Sequence, residues 1–500
     1  MTNSTGMRSA VCLAALIAGG AAHAEVTAAQ VWADWQSQLA QYGEGSVTIG
    51  AEETSSGTLT VRNLGIRFSD DDIIAETLMS AITFNEQSDG TVRVTMDESY
   101  PVTVTGEDGV VITIDISQQN MEMIVSGDAD ALDYDITASQ YKVALRDVVD
   151  ADVTFTGDVE VAANDLKLSY QTAVGEMRDI TYSGTVASID LLVDFQIPGG
   201  DGEYVTAGGR MVDMQTQAAM TLPLDANFED PDTMINAGFA FAGGYTIDSG
   251  DFVFDINADG DQTSGSMSTG TSTFTGEMNS TALGYSSNTV DVALSFLSSG
   301  FPLPIEINLA EYGAGFQMPT GASDEPSDFA FNLDMVDLSI SDAIWDLFDA
   351  GNVLPRDPAT IQIALAGKAK SLYDMFDPAQ QDAFENAEMP FELSEVTLET
   401  LNIDAAGAQV SGSGAFTFDN TDMQTFAPLP RPEGEARVEI TGFNGLLDNL
   451  VAMGLVPEQD VMGARMMVGM FARATGDDQM ETSVEIDAGG QVRVNGNRVR

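Results

Sequence analysis

Two residue types are almost missing from this chain. Its 500 residues include one cysteine, Cys12, and one histidine, His23. Both lie in the first 24 positions, a stretch with the parts of a secretory signal. Arg8 gives a positive start, Ala10 to Gly20 form an apolar run, and "AAHA" sets small residues before a cut after Ala24. The run falls short of the about 20 residues a spanning helix needs. The mature chain expected after cleavage has no thiol and no imidazole. That excludes disulfides, the usual zinc ligands, Cys–His nucleophiles and Ser-His-Asp triads.

Positive charge is scarce as well. The full chain carries 78 acidic and 19 basic residues, only four of them lysine: Lys142, Lys167, Lys368 and Lys370. Loss of residues 1–24 removes Arg8 alone and leaves a formal charge of −60. Such a surface repels nucleic acid and anionic headgroups. The acids are scattered rather than blocked, which reads as a solvated surface, with cation binding as the alternative. No later stretch is long and apolar enough to suggest a transmembrane segment.

What remains is an ordinary apolar fraction, 44%, arranged with period two. "GTLTVRNLGIRF", "GVVITIDI", "DVTFTGDVEV", "DFVFDI", "DFAFNLDM" and "GAFTFD" alternate apolar and polar residues, separated by Gly, Asn and Asp turns. Alternation means one buried and one wet face, hence an antiparallel sheet. The expected fold is mainly β: large, curved antiparallel sheet with one N-terminal helix and a few C-terminal covering helices. In "DFAFNLDMVDLSI" the apolar phase slips between Met335 and Val336, which predicts a bulge there.

Helical spacing appears in few places. "TAAQVWADWQSQLAQYG" has Thr27 as N-cap, Gly43 as stop, and Val31, Trp35, Leu39 and Tyr42 on one face, placed to pack on the sheet. "SDAIWDLFDAGNVLP" starts at Ser341 and stops at Gly351. "KSLYDMFDPAQQDAF" reads as a helix broken at Pro378. "FNGLLDNLVAMG" and "PEQDVMGARMMVGMFARA" form a helical hairpin, followed by a β-hairpin turning at Gly489-Gly490. Residues 25–320 make an N-terminal lobe and 321–500 a C-terminal lobe, or one sheet continues through both; "PTGASDEPSD" (319–328) is the linker candidate.

Three motifs bear on chemistry. In "DINADGDQTSGS", Asp255, Asn257, Asp259 and Asp261 alternate, with Gly260 at the turning position, like the start of a calcium loop. Position 12 is Ser266 where a closing Glu belongs, so a plain hairpin turn is the competing reading. Ser139 and Lys142 have Ser–Lys acyl-transfer spacing but sit in strand-like sequence without the companion motifs. Met462, Met466 and Met470 form a stripe at helical spacing, either an adaptable partner- or ligand-binding face or a cover over the sheet. Paired carboxylates could also hydrolyse glycosides without histidine, though no pair stands out.

"FNGLLDNLVAMGLVP", "GARMMVGMFARA" and "GGQVRVNGNRVR" resemble the end of domain-of-unknown-function family 2125, an uncharacterised proteobacterial envelope family, over about the last 200 residues. The resemblance implies a secreted, mostly antiparallel β protein of the Gram-negative envelope and carries over no catalytic residue. The expected function is a non-catalytic periplasmic role, binding an apolar ligand such as a lipid or docking an envelope partner, with no cofactor. The alternatives are a calcium-dependent acidic module and a carboxylate hydrolase.

Overall fold

The computed structural model describes residues 25–40, 46–70, 73–106, 109–150, 153–196, 202–225, 231–258 and 260–500. The expected signal segment, Tyr42, Gly43 and Asp259 lie outside them. Among the described residues period-two sequence becomes strand, and 26 strands join in one antiparallel sheet.

Helix α1 (Ala28–Leu39) comes first, held by a capping box between Thr27 and Gln30. Then β1 (Val47–Ser55), β2 (Thr58–Asp70) and β3 (Ile73–Glu86) pair in turn. The short strands β4 (Val92–Met96) and β5 (Ser99–Gly106) share β3 end to end. β6 (Val111–Gln119) and β7 (Glu122–Gly127) share β8 (Ala131–Asp150) in the same way. The long strands β9 (Val153–Val174), β10 (Met177–Gln196) and β11 (Tyr204–Pro223) follow.

After α2 (Pro231–Asn236) the split recurs. β12 (Ala240–Ile247) and β13 (Ser249–Ala258) share β11, while β14 (Asp261–Thr269) and β15 (Ser272–Asn279) share β16 (Ala282–Ser298). A meander continues through β17 (Phe301–Pro319), β18 (Ser327–Ile340), β19 (Ala359–Ser371), β20 (Phe391–Ala405), β21 (Ala408–Asp419) and β22 (Arg431–Thr441). Helix α3 (Asp342–Phe348) precedes β19 and α4 (Pro378–Asn386) precedes β20. The chain ends with α5 (Phe443–Ala452), α6 (Glu458–Phe471), β23 (Arg473–Gly476), β24 (Gln479–Ile486), β25 (Val492–Val494) and β26 (Asn497–Arg498), with β24 paired to β22. Pairing of β17 with β18 carries the sheet past residues 319–328 without interruption.

Pro378 departs from expectation. It does not break a helix but opens α4, after β19 has already ended at Ser371. The Asp377 carboxylate accepts the Ala379 N–H at 2.9 Å, and proline at the first helical position forgoes only a donor with no partner inside the helix. Ser341 is the N-cap of α3 but makes no capping bond; its hydroxyl donates to the Pro304 carbonyl.

Directly opposite residues in an antiparallel pair share a face, so the register traces one face across the sheet. Tyr182, Ala218, Gly243, Gly276, Tyr285 and Phe316 stand opposite one another in succession from β10 to β17. Phe331, Leu365 and Leu398 extend the same row to β20. A second row runs through Met335, Ile361, Ile403, Val410 and Ile440 to Met480.

Keeping that face apolar over strands of up to 22 residues requires corrections of phase. Face residues jump by three rather than two at Val61 to Leu64, Ala163 to Leu166, Met211 to Met214, Thr289 to Val292 and Met335 to Leu338, and partner strands follow, as at Met79 to Ile82 and Val186 to Ile189. At the five named first an Asn or Asp takes a left-handed conformation: Asn63, Asp165, Asp213, Asp291 and Asp337, all with φ between 50° and 53°. These short polar side chains tolerate that region best among non-glycine residues. The slip anticipated near Met335 is one of these five, and there the ladder register itself shifts, a bulge that bends and twists the strand.

Asp337→Val should lower unfolding free energy by about 1–2 kcal/mol, because a β-branched residue resists the left-handed region. Asp337→Gly should stay within about 0.5 kcal/mol of the parent. Urea midpoints of the two variants measure the difference.

Candidate functional site

The apolar face is covered toward the N-terminal end of the sheet, by α1 and, around Ile180 and Leu222, by Met234 and Ile235 of α2, and is half-buried beyond β12. At the covered end α1 lies on it. Val31 and Trp32 of α1 join Val61, Ile82 and Phe84 in a cluster where Val31, Val61, Ile82 and Phe84 are 0% exposed. The helix is pinned at several points: Trp32 Nε1 donates to Glu52 at 2.8 Å and the Ala28 N–H to Glu86 at 3.0 Å. The expected helix face is therefore partly shifted. Trp32 is buried, whereas Trp35 and Leu39 are half-buried and border a cavity.

That cavity has a volume of about 450 Å³, within the roughly 300–1,000 Å³ range of small-molecule sites. Its walls come from α1 and from β2, β3 and β7 through β11, with Leu64, Met79, Met123, Ile136, Ile180 and Met220 among them. Strands many ladders apart enclose one space, so the sheet curls around its apolar face here.

A polar cluster ties α1 to the sheet beside the cavity. Arg178 Nη1 meets Asp34 Oδ1 at 2.6 Å, with both side chains buried. Arg178 also donates to Thr172 and Ser37, each at 3.1 Å. The Tyr134 hydroxyl donates to Asp34 at 2.9 Å and the Tyr170 hydroxyl to Gln38 at 3.1 Å. Burial, followed by the charge of Asp34, holds both phenols above their ordinary range. The sequence carried one sign of this cluster: Arg178 falls in the apolar phase of β10, two residues before Ile180. Its partners come from α1 and β9 and were not legible.

Beyond β12 the same face loses its cover. Between Ile247 and Val461 the buried aliphatic and aromatic residues among those described are Leu354 and Ala369. Ile305, Ile307, Leu333, Ile363, Leu401 and Val438 are half-buried. Tyr285, Tyr312 and Phe331 on this face are 40%, 45% and 44% exposed. Tyr245, Phe274 and Tyr285 stack at centroid distances of 5.6 and 6.4 Å, and Phe316 meets Tyr285 edge-on at 4.8 Å. Phenylalanine rings lie over glycines of neighbouring strands, as Phe254 does on Gly265 and Phe329 on Gly367; a Cβ on either glycine would stand 2.7 Å from the ring. Uncovered apolar surface on this scale is rare outside interaction sites. It offers hydrocarbon a gain of about 25 cal/mol for each Å² withdrawn from water.

The other flagged residues are spread over the fold. Asp255 and Asn257 lie on β13 and Asp261 opens β14; Ala258 and Asp261 pair across a tight hairpin at Gly260. Strand alternation puts Asp261 on the opposite face from Asn257. Asp255 accepts from Tyr204 at 3.1 Å and Gln262 at 2.9 Å, while Asp261 accepts from Ser299 at 3.2 Å. Among the described residues no group of three Asp, Glu, His or Cys is placed to hold a metal. Ser139 donates to the Gln119 carbonyl and Lys142 pairs with Glu160, so the two are not joined to each other. Met462, Met466 and Met470 stand 63%, 67% and 70% exposed on α6, whose buried residue is Val461. No helix among the described residues is long and apolar enough to cross a membrane.

Residues 216–495 match the model of a family described as an uncharacterised protein conserved in bacteria, domain-of-unknown-function family 2125. No curated protein and no solved structure matches the chain.

The raised phenols make stability fall at high pH. The folded state keeps Tyr134 and Tyr170 protonated, whereas unfolded tyrosines ionise near about pH 10. Their contribution is complete below that pH and is lost as pH rises beyond it. Urea midpoints should be level between about pH 7 and 9 and fall above about pH 10, with a shallower fall in Tyr134→Phe.

Proposed function

The chain belongs to domain-of-unknown-function family 2125, and from that premise we propose that it is an exported, non-catalytic carrier of an acyl-chain lipid in the bacterial envelope. The observation that carries this reading is the half-buried apolar face from β13 to β22, which lies inside the family-matched residues. A hydrocarbon chain laid along it exchanges contact with water for contact with Ile, Leu and Phe side chains, the transfer that drives apolar association. A mature chain without thiol or imidazole supports a binding role over catalysis. A surface charge of −60 keeps such an apolar face from self-association through repulsion between copies. The signal segment supports a periplasmic location, with the mature chain starting at Glu25.

An apolar dye such as N-phenylnaphthylamine should brighten on the purified mature protein and be displaced by phospholipid. Leu333 and Ile363 face each other across β18 and β19. Leu333→Asp or Ile363→Asp should weaken dye binding at least about tenfold, or about 1.4 kcal/mol. Ser413→Asp, on the polar face, should leave it unchanged. Absence of dye and lipid binding in the parent protein would overturn the carrier reading. N-terminal sequencing of periplasmic material should begin at Glu25; an intact leader on cytosolic protein would overturn the location.

A further inference from the structure

We propose that the cavity beneath α1 is a hydrocarbon subsite that receives the methyl end of a straight-chain ligand lying on the apolar face. The inference rests on the carrier reading and deepens it by assigning one end of the ligand to one place.

Polar groups bordering the cavity are already engaged. The Tyr134 hydroxyl is given to Asp34, the Tyr170 hydroxyl to Gln38, and Gln38 Nε2 to Asp34 at 2.8 Å. The charge of Asp34 is met by Arg178. Arg178 Nε is buried without a partner, but Arg178 is not among the lining residues. The cavity thus presents no open charge to a headgroup, and entry of a carboxylate or phosphate would strip its hydration with nothing in exchange. A chain terminus brings no such cost. Apolar-lined space of this kind accepts apolar guests.

The cavity is also a built space. Immediately beside it Val61, Ile82 and Phe84 pack without exposure, so this part of the sheet can fill its interior. An unfilled apolar void forfeits dispersion contacts in proportion to its volume. Met79, Met123 and Met220 line it, and methionine adapts to guests of varied shape. The polar cluster and the capped start of α1 hold the lid in place over the space.

The subsite connects to the exposed face through the register. Ile180 and Met220 on its wall stand opposite each other, and Met220 stands opposite Phe241 on β12. Two residues along, Ala218 and Gly243 are opposite each other in the row that leads to Tyr285 and Phe331. Small residues at Ala218, Gly243 and Gly276 keep that row low between the cavity wall and Tyr285.

The test uses the mature protein and straight-chain fatty acids of increasing length, read by displacement of N-phenylnaphthylamine. In the parent, affinity should rise with each added methylene through the longest chains. Met123→Trp fills the cavity, and Met220→Phe fills it more gently should the tryptophan impair folding; circular dichroism and melting identify folded variants. In a folded variant short chains should bind as in the parent, while the longest lose about tenfold or more. An equal loss at every length, or no loss at any, overturns the cavity assignment and leaves the carrier reading standing. A parent protein that binds no chain of any length overturns both.

Discussion

The structure depends on keeping one face of a very long antiparallel sheet apolar while the strands bend. A flat strand does this by alternation alone. A long strand that twists and curls drifts out of phase unless its alternation is reset at the bend. Here Asn63, Asp165, Asp213, Asp291 and Asp337 mark such resets, each left-handed and each followed by a return of apolar side chains to the same face. Without these resets part of each of these strands would turn its apolar side chains to solvent.

From that constraint the division of the molecule follows. Where α1 covers the face, the residues beneath it are fully buried and a buried ion pair and two phenols fasten the helix down. Where no comparable cover exists, the same alternation leaves a track of half-buried aliphatic and aromatic groups. Rings lying over glycine keep that track shallow at Gly265 and Gly367. The opposite face carries cross-strand polar pairs such as Lys142–Glu160 and Arg210–Asp190. Their part is solvation more than stability, since exposed pairs of this sort contribute at most about 1 kcal/mol.

Much of this was legible in the sequence because alternation is a local signal. The strands, Thr27 as a cap, the helical hairpin near the C-terminus and the slip at Met335 could all be read from a dozen residues at a time. The other four phase jumps carry the same mark, an Asn or Asp inside an apolar run with face residues three apart, as in "TVRNLGI" and "MVDMQ". Pro378 misled because a proline that opens a helix and one that ends it look alike until the preceding strand is known. The cavity and its polar rim were hidden for a different reason. Asp34, Tyr134, Tyr170 and Arg178 meet only through strand order and curl, which no short window contains. The methionine stripe on α6 was legible as a stripe, but its exposure depends on how α6 packs against α5.

On the carrier role proposed above, hydrocarbon sits on one side of the sheet only. A photoreactive benzoylphenylalanine placed at Phe331, on the apolar side, and separately at Thr417, on the polar side, tests it most directly in living cells. Illumination followed by mass spectrometry should find lipid adducts at Phe331 and none at Thr417. Adducts at both positions, or at neither, would contradict the account.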